Sequence, residues 1–385
     1  MLGAVDSSYF NTINESNLSV VTSLYLTIYE SVLVVFIVYF LSFKQEIIVE
    51  RPKVLKGSVA VYILFVAIAL IVYLTFGRNL HIFEFALKSI GLGERPEEEL
   101  DSYTLLIRQI SSSGLLFSFL LIVDYCRIRY WRTLKSRYVS IALLFSGLMI
   151  LIITGERRTS QIYTAFCTFW LLAKVFPSYK KRFVIGIVSV TAFVLIMMSV
   201  YKHLNAFLYD SYVEAIAQSN FDENFQASMF DAYFYGVKTV SKNIEFGAMS
   251  NLSVFNFLYD IARCTFGVNF FVPRSIYLTS EAYNLYMYSG EQTHGYLLSS
   301  IGYGYIYFGF LFAPFATFLN VFLLSYFEKK LKKSNSIEMT YIWAFIFMRF
   351  GFGFLGSIPP LVSLITRYAF FNGSLYLLAR KMNGK

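Results

Sequence analysis

The sequence predicts an all-α, polytopic helical membrane protein with about nine transmembrane helices and one large outer loop that contains amphipathic helices. Three observations lead there. Of 385 residues, 57% are hydrophobic and only 15% are charged, against roughly 45–50% and about 25% in soluble domains. The apolar residues fall in runs of roughly 17–25, the length that crosses a hydrocarbon core about 30 Å thick. The loops between the runs alternate in charge. A β-barrel would show short segments of alternating polarity instead. The 30 Tyr and 41 Phe suit a chain with many boundaries between apolar and wet surroundings, where aromatic side chains collect.

The spans are read at 24–43, 57–76, 105–124, 138–154, 160–176, 183–201, 296–325, 338–357 and 361–379. Residues 1–23 carry Asp6 and Glu15 and no base. Loop 77–104 is acidic, with Glu94, Glu97, Glu98, Glu99 and Asp101. The basic segments are 44–56, 125–137, 177–182, 326–337 and the tail. They all fall on one side if the N-terminus is outside and the C-terminus cytoplasmic, as the positive-inside rule requires. Nine spans demand the same two placements. The net charge of +9 is therefore mainly a topology signal with contact to anionic lipid, and no nucleic-acid partner is expected. No Lys or Arg precedes the first apolar run, so the basic start of a cleaved signal peptide is missing. The topology places Cys126 in a cytoplasmic loop, Cys167 in a helix and Cys264 outside. That separation predicts no internal disulfide and no cysteine metal site.

The chain divides into residues 1–201 with six spans, the outer loop 202–295, and residues 296–385 with three spans and a cytoplasmic tail. Segment 296–325 is too long for a straight crossing and contains Gly302, Gly304, Gly309 and Pro314. It is expected to tilt or kink, or to begin as an interfacial helix. No internal repeat and no matching pair of broken helices is visible. In the outer loop, Phe221, Phe225, Met229, Tyr233, Val237 and Val240 share one helical face. Asp222, Glu223, Asp231, Lys238 and Lys242 fall away from it. Leu252, Phe255, Tyr259, Ala262 and Phe266 form a second stripe. Both stripes read as amphipathic helices on the bilayer or over a cavity, or as a packed lid with no ligand contact.

No P-loop, dinucleotide fingerprint, HExxH or DxD-type carboxylate pair is present. The cytoplasmic loops are short and basic, so chemistry is expected at the outer face, on a substrate that is already activated. The stretch TGERRTSQ, residues 154 to 161, puts Arg157 and Arg158 on the outer side, where such residues are scarce. Arg349 falls near the middle of an apolar segment and Arg367 about six residues inside another. An arginine in hydrocarbon costs at least about 2.5–3.5 kcal/mol and usually has a partner. With Arg263 and Arg274 of the outer loop they could form a basic cavity for phosphate or pyrophosphate, which guanidiniums bind through two oxygens. Plainer roles stay open: Arg157 or Arg158 can snorkel to headgroups, and Arg349 can pair with Glu30. His294 can accept a proton at neutral pH or serve as an interfacial aromatic. Glu291 and Glu281 are the next candidate bases. No metal site is expected.

The stretch THGYLLSSIGYGYIYFGFLFAPF, residues 293 to 315, resembles the end of the large outer loop in Wzy-type O-antigen and capsular repeat-unit polymerases and the related O-antigen ligases. There a His or similar residue precedes a Gly-rich helix with an aromatic–Gly pattern. TGERRTSQIYTAF resembles the outer start of a helix where that family keeps an Arg. The two stretches cover about a tenth of the chain, and the overall layout is similar. The resemblance implies a GT-C-like, metal-independent glycosyltransferase without a cofactor, in the bacterial cytoplasmic membrane. Its partners would be undecaprenyl-pyrophosphate-linked oligosaccharides as donor and acceptor, and membrane lipids, with room for a chain-length regulator protein. A ligase is the alternative within the class. A lipid-linked glycan flippase or other transporter is the alternative outside it.

Overall fold

The structure is a computed structural model that describes residues 17–42, 53–80, 82–85, 102–153, 158–203, 209–218, 236–273, 275–290, 293 and 295–384. It is almost entirely helical, and each of the nine apolar segments carries helix. Among the described residues, five helices are long and apolar enough to cross a membrane: Leu18–Leu41, Val59–Gly77, Tyr103–Thr133, Pro177–Met198 and Ile358–Asn383. The bent pair Ser300–Phe312 and Phe315–Lys333 makes a sixth if it is one span. Arg137–Leu151, Arg158–Val175 and Ile337–Gly353 cover the remaining segments. They are shorter, or polar at their ends, as with Arg158, Ser160, Gln161 and Lys174. The molecule is compatible with a multi-pass membrane protein.

The chain forms two compact units that interleave along the sequence. One comprises Met1–Ile48, Phe225–Lys329 and Arg349–Arg367; the other comprises Val49–Asn224, Lys330–Met348 and Tyr368–Lys385. In the second unit, helices α2 (Val59–Val72), α3 (Ser102–Thr133), α4 (Arg137–Leu151), α5 (Arg158–Val175) and α6 (Lys180–His203) share one apolar core. It includes Phe117, Leu120, Ala142, Ile150, Leu171 and Phe183.

The ends of these helices are sorted by charge. The segment after Lys53 lies beside residues 334–338: Val54 N–H donates to Asn335 O (3.2 Å) and Ile337 N–H to Val54 O (3.0 Å). Ser58 N–H donates to Ala379 O (2.9 Å), and Asn383 Nδ2 to Lys56 O (3.1 Å). Three basic segments thus meet at one end. Tyr130 likewise packs on Phe176 and Tyr179, at 5.6 and 5.8 Å between ring centres, which joins two more basic segments. At the far end of α2, strand β1 (Glu84–Phe85) pairs antiparallel with β2 (Ile152–Ile153). The described start of loop 77–104 thus pairs with the two residues that end just before the arginine-bearing gap.

Glu338 organises the basic end. Its side chain is fully buried. Oε1 accepts from Lys56 N (3.0 Å), Gly57 N (2.8 Å) and Tyr62 OH (3.0 Å). Oε2 accepts from Ser336 Oγ at 2.6 Å. Lys53 Nζ also donates to Ser334 O.

In the first unit, segment 296–325 folds back on itself instead of running straight. Helix α11 (Ser300–Phe312) and helix α12 (Phe315–Lys333) meet at 108°. Gly309 has φ +68°, a conformation open to glycine, and Pro314 supplies no backbone donor at the junction. A Cβ on Gly304 would stand 2.0 Å from Ala313 O, so only glycine permits this approach. Both arms reach the same turn. Ser300 N–H donates to Leu355 O (2.6 Å), and Asn320 Nδ2 to Phe354 O (3.0 Å) and Gly356 O (3.3 Å). The first arm is thus a short helix that turns sharply into the longer α12.

Other expectations need correction. The third apolar segment does not end at 124: its helix runs to Thr133, with Arg127 Nη2 on Asp124 Oδ1 at 2.7 Å. Cys126 therefore lies buried in a helix, not in a loop. Lys242 does not face away from the fold: only 1% of its surface is exposed. Phe255 of the second stripe is largely exposed, while Tyr259 is buried. The helix there spans only Val254–Cys264, so Leu252 and Phe266 lie beyond its ends. Most of the first stripe, residues 221 to 233, lies outside the described residues.

Glu338→Ala leaves four donors facing an apolar cavity, each worth about 1–3 kcal/mol when unsatisfied. We expect a loss on the order of 3–5 kcal/mol, with Glu338→Gln losing less. The thermal midpoint of the detergent-solubilised protein measures this.

Candidate functional site

Residues 253–287 of the first unit are built on helices α9 (Val254–Cys264) and α10 (Thr279–Met287). Ser253 starts α9, with Asn256 Oδ1 accepting its backbone N–H at 3.1 Å, a reciprocal cap. The chain after α9 returns across it. Tyr259 OH lies 2.6 Å from Pro273 O and 2.8 Å from Ile276 O. Phe266 N–H donates to Thr366 Oγ1 at 2.9 Å, which anchors this return to the π-helical turn Ile365–Ala369. Such turns recur at functional positions, and this one carries Arg367.

Arg263 and Glu281 meet as a fork. Nη1 lies 3.0 Å from Oε2 and Nη2 3.1 Å from Oε1. Nη1 also donates to Ile276 O at 2.8 Å, and Glu281 Oε2 accepts from Leu278 N at 2.7 Å. Both carboxylate oxygens of Glu281 thus already accept hydrogen bonds, which makes the residue a clamp between α9 and α10. Beneath it, buried Asp260 accepts from Thr279 N (3.1 Å) and Tyr303 OH (3.0 Å). Burial pushes the Asp260 carboxyl up, and the hydrogen bonds from Thr279 and Tyr303 oppose that. Thr279 Oγ1 continues the chain to Tyr307 OH.

Burial raises the Cys264 thiol to about 12, with Asp260 and Glu281 adding and Arg263 and Arg367 opposing. Arg263 lies in the last turn of α9, and the turn that carries Arg367 is tied to the chain just after α9 through Phe266 N–H and Thr366 Oγ1. The two come from segments about a hundred residues apart in sequence. Arg349 belongs to the same unit, near the end of helix α13 (Ile337–Gly353). Its suggested neighbour Glu30 is buried and accepts from Thr317 Oγ1.

The arginine-bearing gap belongs to the second unit. Arg158 is the first residue of α5. The gap is held at both ends, by the β1–β2 pairing and by Gln161 Nε2 donating to Ile152 O at 3.3 Å. Arg157, Arg274, Glu291 and His294 lie outside the described residues, and so does the side chain of Arg158. Among the described residues no group of three or more His, Cys, Asp or Glu is placed to hold a metal ion.

Sequence reasoning passed over several polar residues. Arg108 lies inside the apolar helix Tyr103–Thr133, where Gln109 Nε2 also donates to Ser113 Oγ at 3.1 Å. An arginine within an apolar run was the available signal. Asp260 and Lys242 were hidden because each sits in a stretch that reads as an ordinary polar face. Comparison with family models, with curated proteins and with solved structures returned no match.

Two outcomes check this geometry. A double-mutant cycle on Arg263 and Glu281 should give a coupling of about 1–2 kcal/mol, modest because the side chains are 18% and 26% exposed. Cys264 keeps its proton at pH 8, so iodoacetamide should modify it only after denaturation, and in the folded protein only as pH approaches about 12.

Proposed function

We propose that the protein is a lipid-linked oligosaccharide polymerase of GT-C-like architecture with nine spans, acting at the outer face of a bacterial cytoplasmic membrane. The observation that carries this reading is the sorting of the helix ends. Basic segments meet at one end of the second unit, and in sequence Arg157 and Arg158 follow closely on Ile152–Ile153, which pair with Glu84–Phe85 beyond the other end of α2. Positive charge away from the basic side needs a reason other than topology, and a pyrophosphate at the outer leaflet supplies one.

In this reading the donor is a glycan chain on undecaprenyl pyrophosphate. A sugar hydroxyl of a second lipid-linked unit attacks the donor's anomeric carbon. The bond from that carbon to the pyrophosphate oxygen breaks, and the lipid pyrophosphate leaves with the electron pair. The hydroxyl proton passes to His294, with Glu291 as the second choice; Glu281 ranks last because Arg263 and Leu278 N–H occupy it. Arg158 is the principal anchor for the leaving group, since fixed guanidiniums stabilise charge that develops as the bond breaks. Arg157 pairs with Glu156 or with headgroups. Arg367, with Arg274 and Arg349, extends the positive field, and Arg263 contributes mainly by clamping α9 to α10. No metal or cofactor takes part.

Deleting the gene should leave single-repeat surface glycan on a gel. Normal long-chain glycan in the deletion strain contradicts the proposal. Arg158→Ala and His294→Ala should each abolish chain extension at unchanged protein level, and Arg158→Lys should fail too, because ammonium lacks the planar fork. Full activity in both alanine variants removes these residues from the site.

A further inference from the structure

Helix α8 (Val237–Met249) is polar in sequence, yet Val240 to Phe246 are all buried. Ser241, Lys242, Asn243 and Glu245 are each at most 8% exposed. Its apolar face packs deep in the first unit, where Val240 and Ile244 meet Leu26 of α1 (Asn17–Ser42), Ile301 and Ala313. Lys242 Nζ lies 3.6 Å from Glu245 Oε2. Burying two such ions costs several kcal/mol each before their attraction returns it. An apolar pair would hold the helices together at least as well, so stability does not explain the charges.

The surroundings of the pair point to a ligand. The Glu245 carboxylate acts on the phenols of both Tyr283 and Tyr286, which burial also pushes up. The ring of Phe246 packs against the same two tyrosines, at 5.5 and 5.6 Å. Asn284 fixes the next strand of the wall: Tyr296 N–H donates to its Oδ1 at 2.7 Å, and its Nδ2 donates to Tyr296 O at 3.2 Å. Tyr296 then meets Tyr288 at 4.9 Å between ring centres. Tyr286, Tyr288 and Tyr296 are all only half-buried. The half-exposed ring of Tyr286 thus lies near a charge pair that is neutral overall, and Tyr296, which meets Tyr288, packs on the same cluster as Tyr286.

That combination discriminates among ligand classes. The buried pair, at most 8% exposed, brings both signs of charge close together and so favours neither a phosphate nor a free cation. A polyhydroxyl ligand suits such a wall, since sugar hydroxyls can both donate to and accept from tyrosine hydroxyls. The C–H faces of a sugar ring suit aromatic surfaces. We propose that Tyr286, Tyr288 and Tyr296, with Glu245 and Lys242 behind them, form a saccharide-binding subsite of the outer face. This deepens the glycosyl-transfer reading and rests on it for the choice of saccharide.

The probe is the host strain's own repeat-unit oligosaccharide, cleaved from its surface glycan and freed of lipid. Saturation-transfer NMR on the full-length protein in nanodiscs should show transfer to sugar ring protons. Tyr286→Ala and Tyr296→Ala should weaken binding about tenfold, and the isosteric Glu245→Gln should weaken it several-fold, while Tyr286→Phe keeps the ring and most of the affinity. Glu245→Gln and Tyr286→Phe preserve shape, so they decide the matter if the alanine variants misfold. Absence of transfer in the wild type, or unchanged affinity in both Tyr286→Ala and Glu245→Gln, overturns the subsite. The two readings fail separately. Normal long-chain glycan after gene deletion, with oligosaccharide still bound, removes the polymerase and keeps the subsite. Single-repeat glycan after deletion, with unaltered binding by the variants, does the reverse.

Discussion

A single carboxylate, Glu338, draws four donors to itself at one end of the second unit. In a chain this apolar, few other groups can fix how helix ends meet. Apolar faces slide past one another at little cost, whereas a buried carboxylate tolerates only arrangements that satisfy it. Glu338 therefore sets the start of α2 against the start of α13, and Ser58 adds the C-terminal helix through Ala379. Once those three ends are together, the far end of α2 leads to Glu84–Phe85, which pair with Ile152–Ile153 just before the arginine-bearing gap.

The first unit applies the same constraint to residues 253–303. Asp260 is satisfied by Thr279 and Tyr303, and Glu281 by Arg263 and the backbone of Leu278. These contacts join helices that sequence separates, and they hold the turn beside Arg367 through Phe266 and Thr366. The fold-back at Gly309 places a short helix ahead of α12. Just before that helix, Tyr296 is held by Asn284 and Ser299 by Asn243.

Much of this was legible from residues alone. Long apolar runs must be helical where no water can satisfy the backbone, and all nine runs carry helix. The side-by-side placement of like-charged loops followed from counting Lys and Arg. What failed did so for identifiable reasons. The third helix outran its apolar stretch because Asp124 and Arg127 neutralise each other one turn apart. Lys242 looked solvent-facing because helical periodicity counts polarity and cannot see that Glu245, three residues on, is its partner. The fold-back at 304–314 was announced by glycines and a proline, but their spacing does not distinguish a kink from a reversal. Arg263 and Glu281 were both suspected of chemistry; their mutual clamp is a long-range contact that no local pattern encodes.

The central claim is that this chain, by itself and without metal, joins lipid-linked repeat units using the arginine-bearing gap and the histidine segment. Purified protein in nanodiscs, given undecaprenyl-pyrophosphate-linked single repeat units in excess EDTA, tests it most directly. The account predicts a ladder of lipid-linked oligomers from the wild-type protein and only single units from His294→Ala. Single units alone from folded wild-type protein, or an equal ladder from the variant, would contradict it.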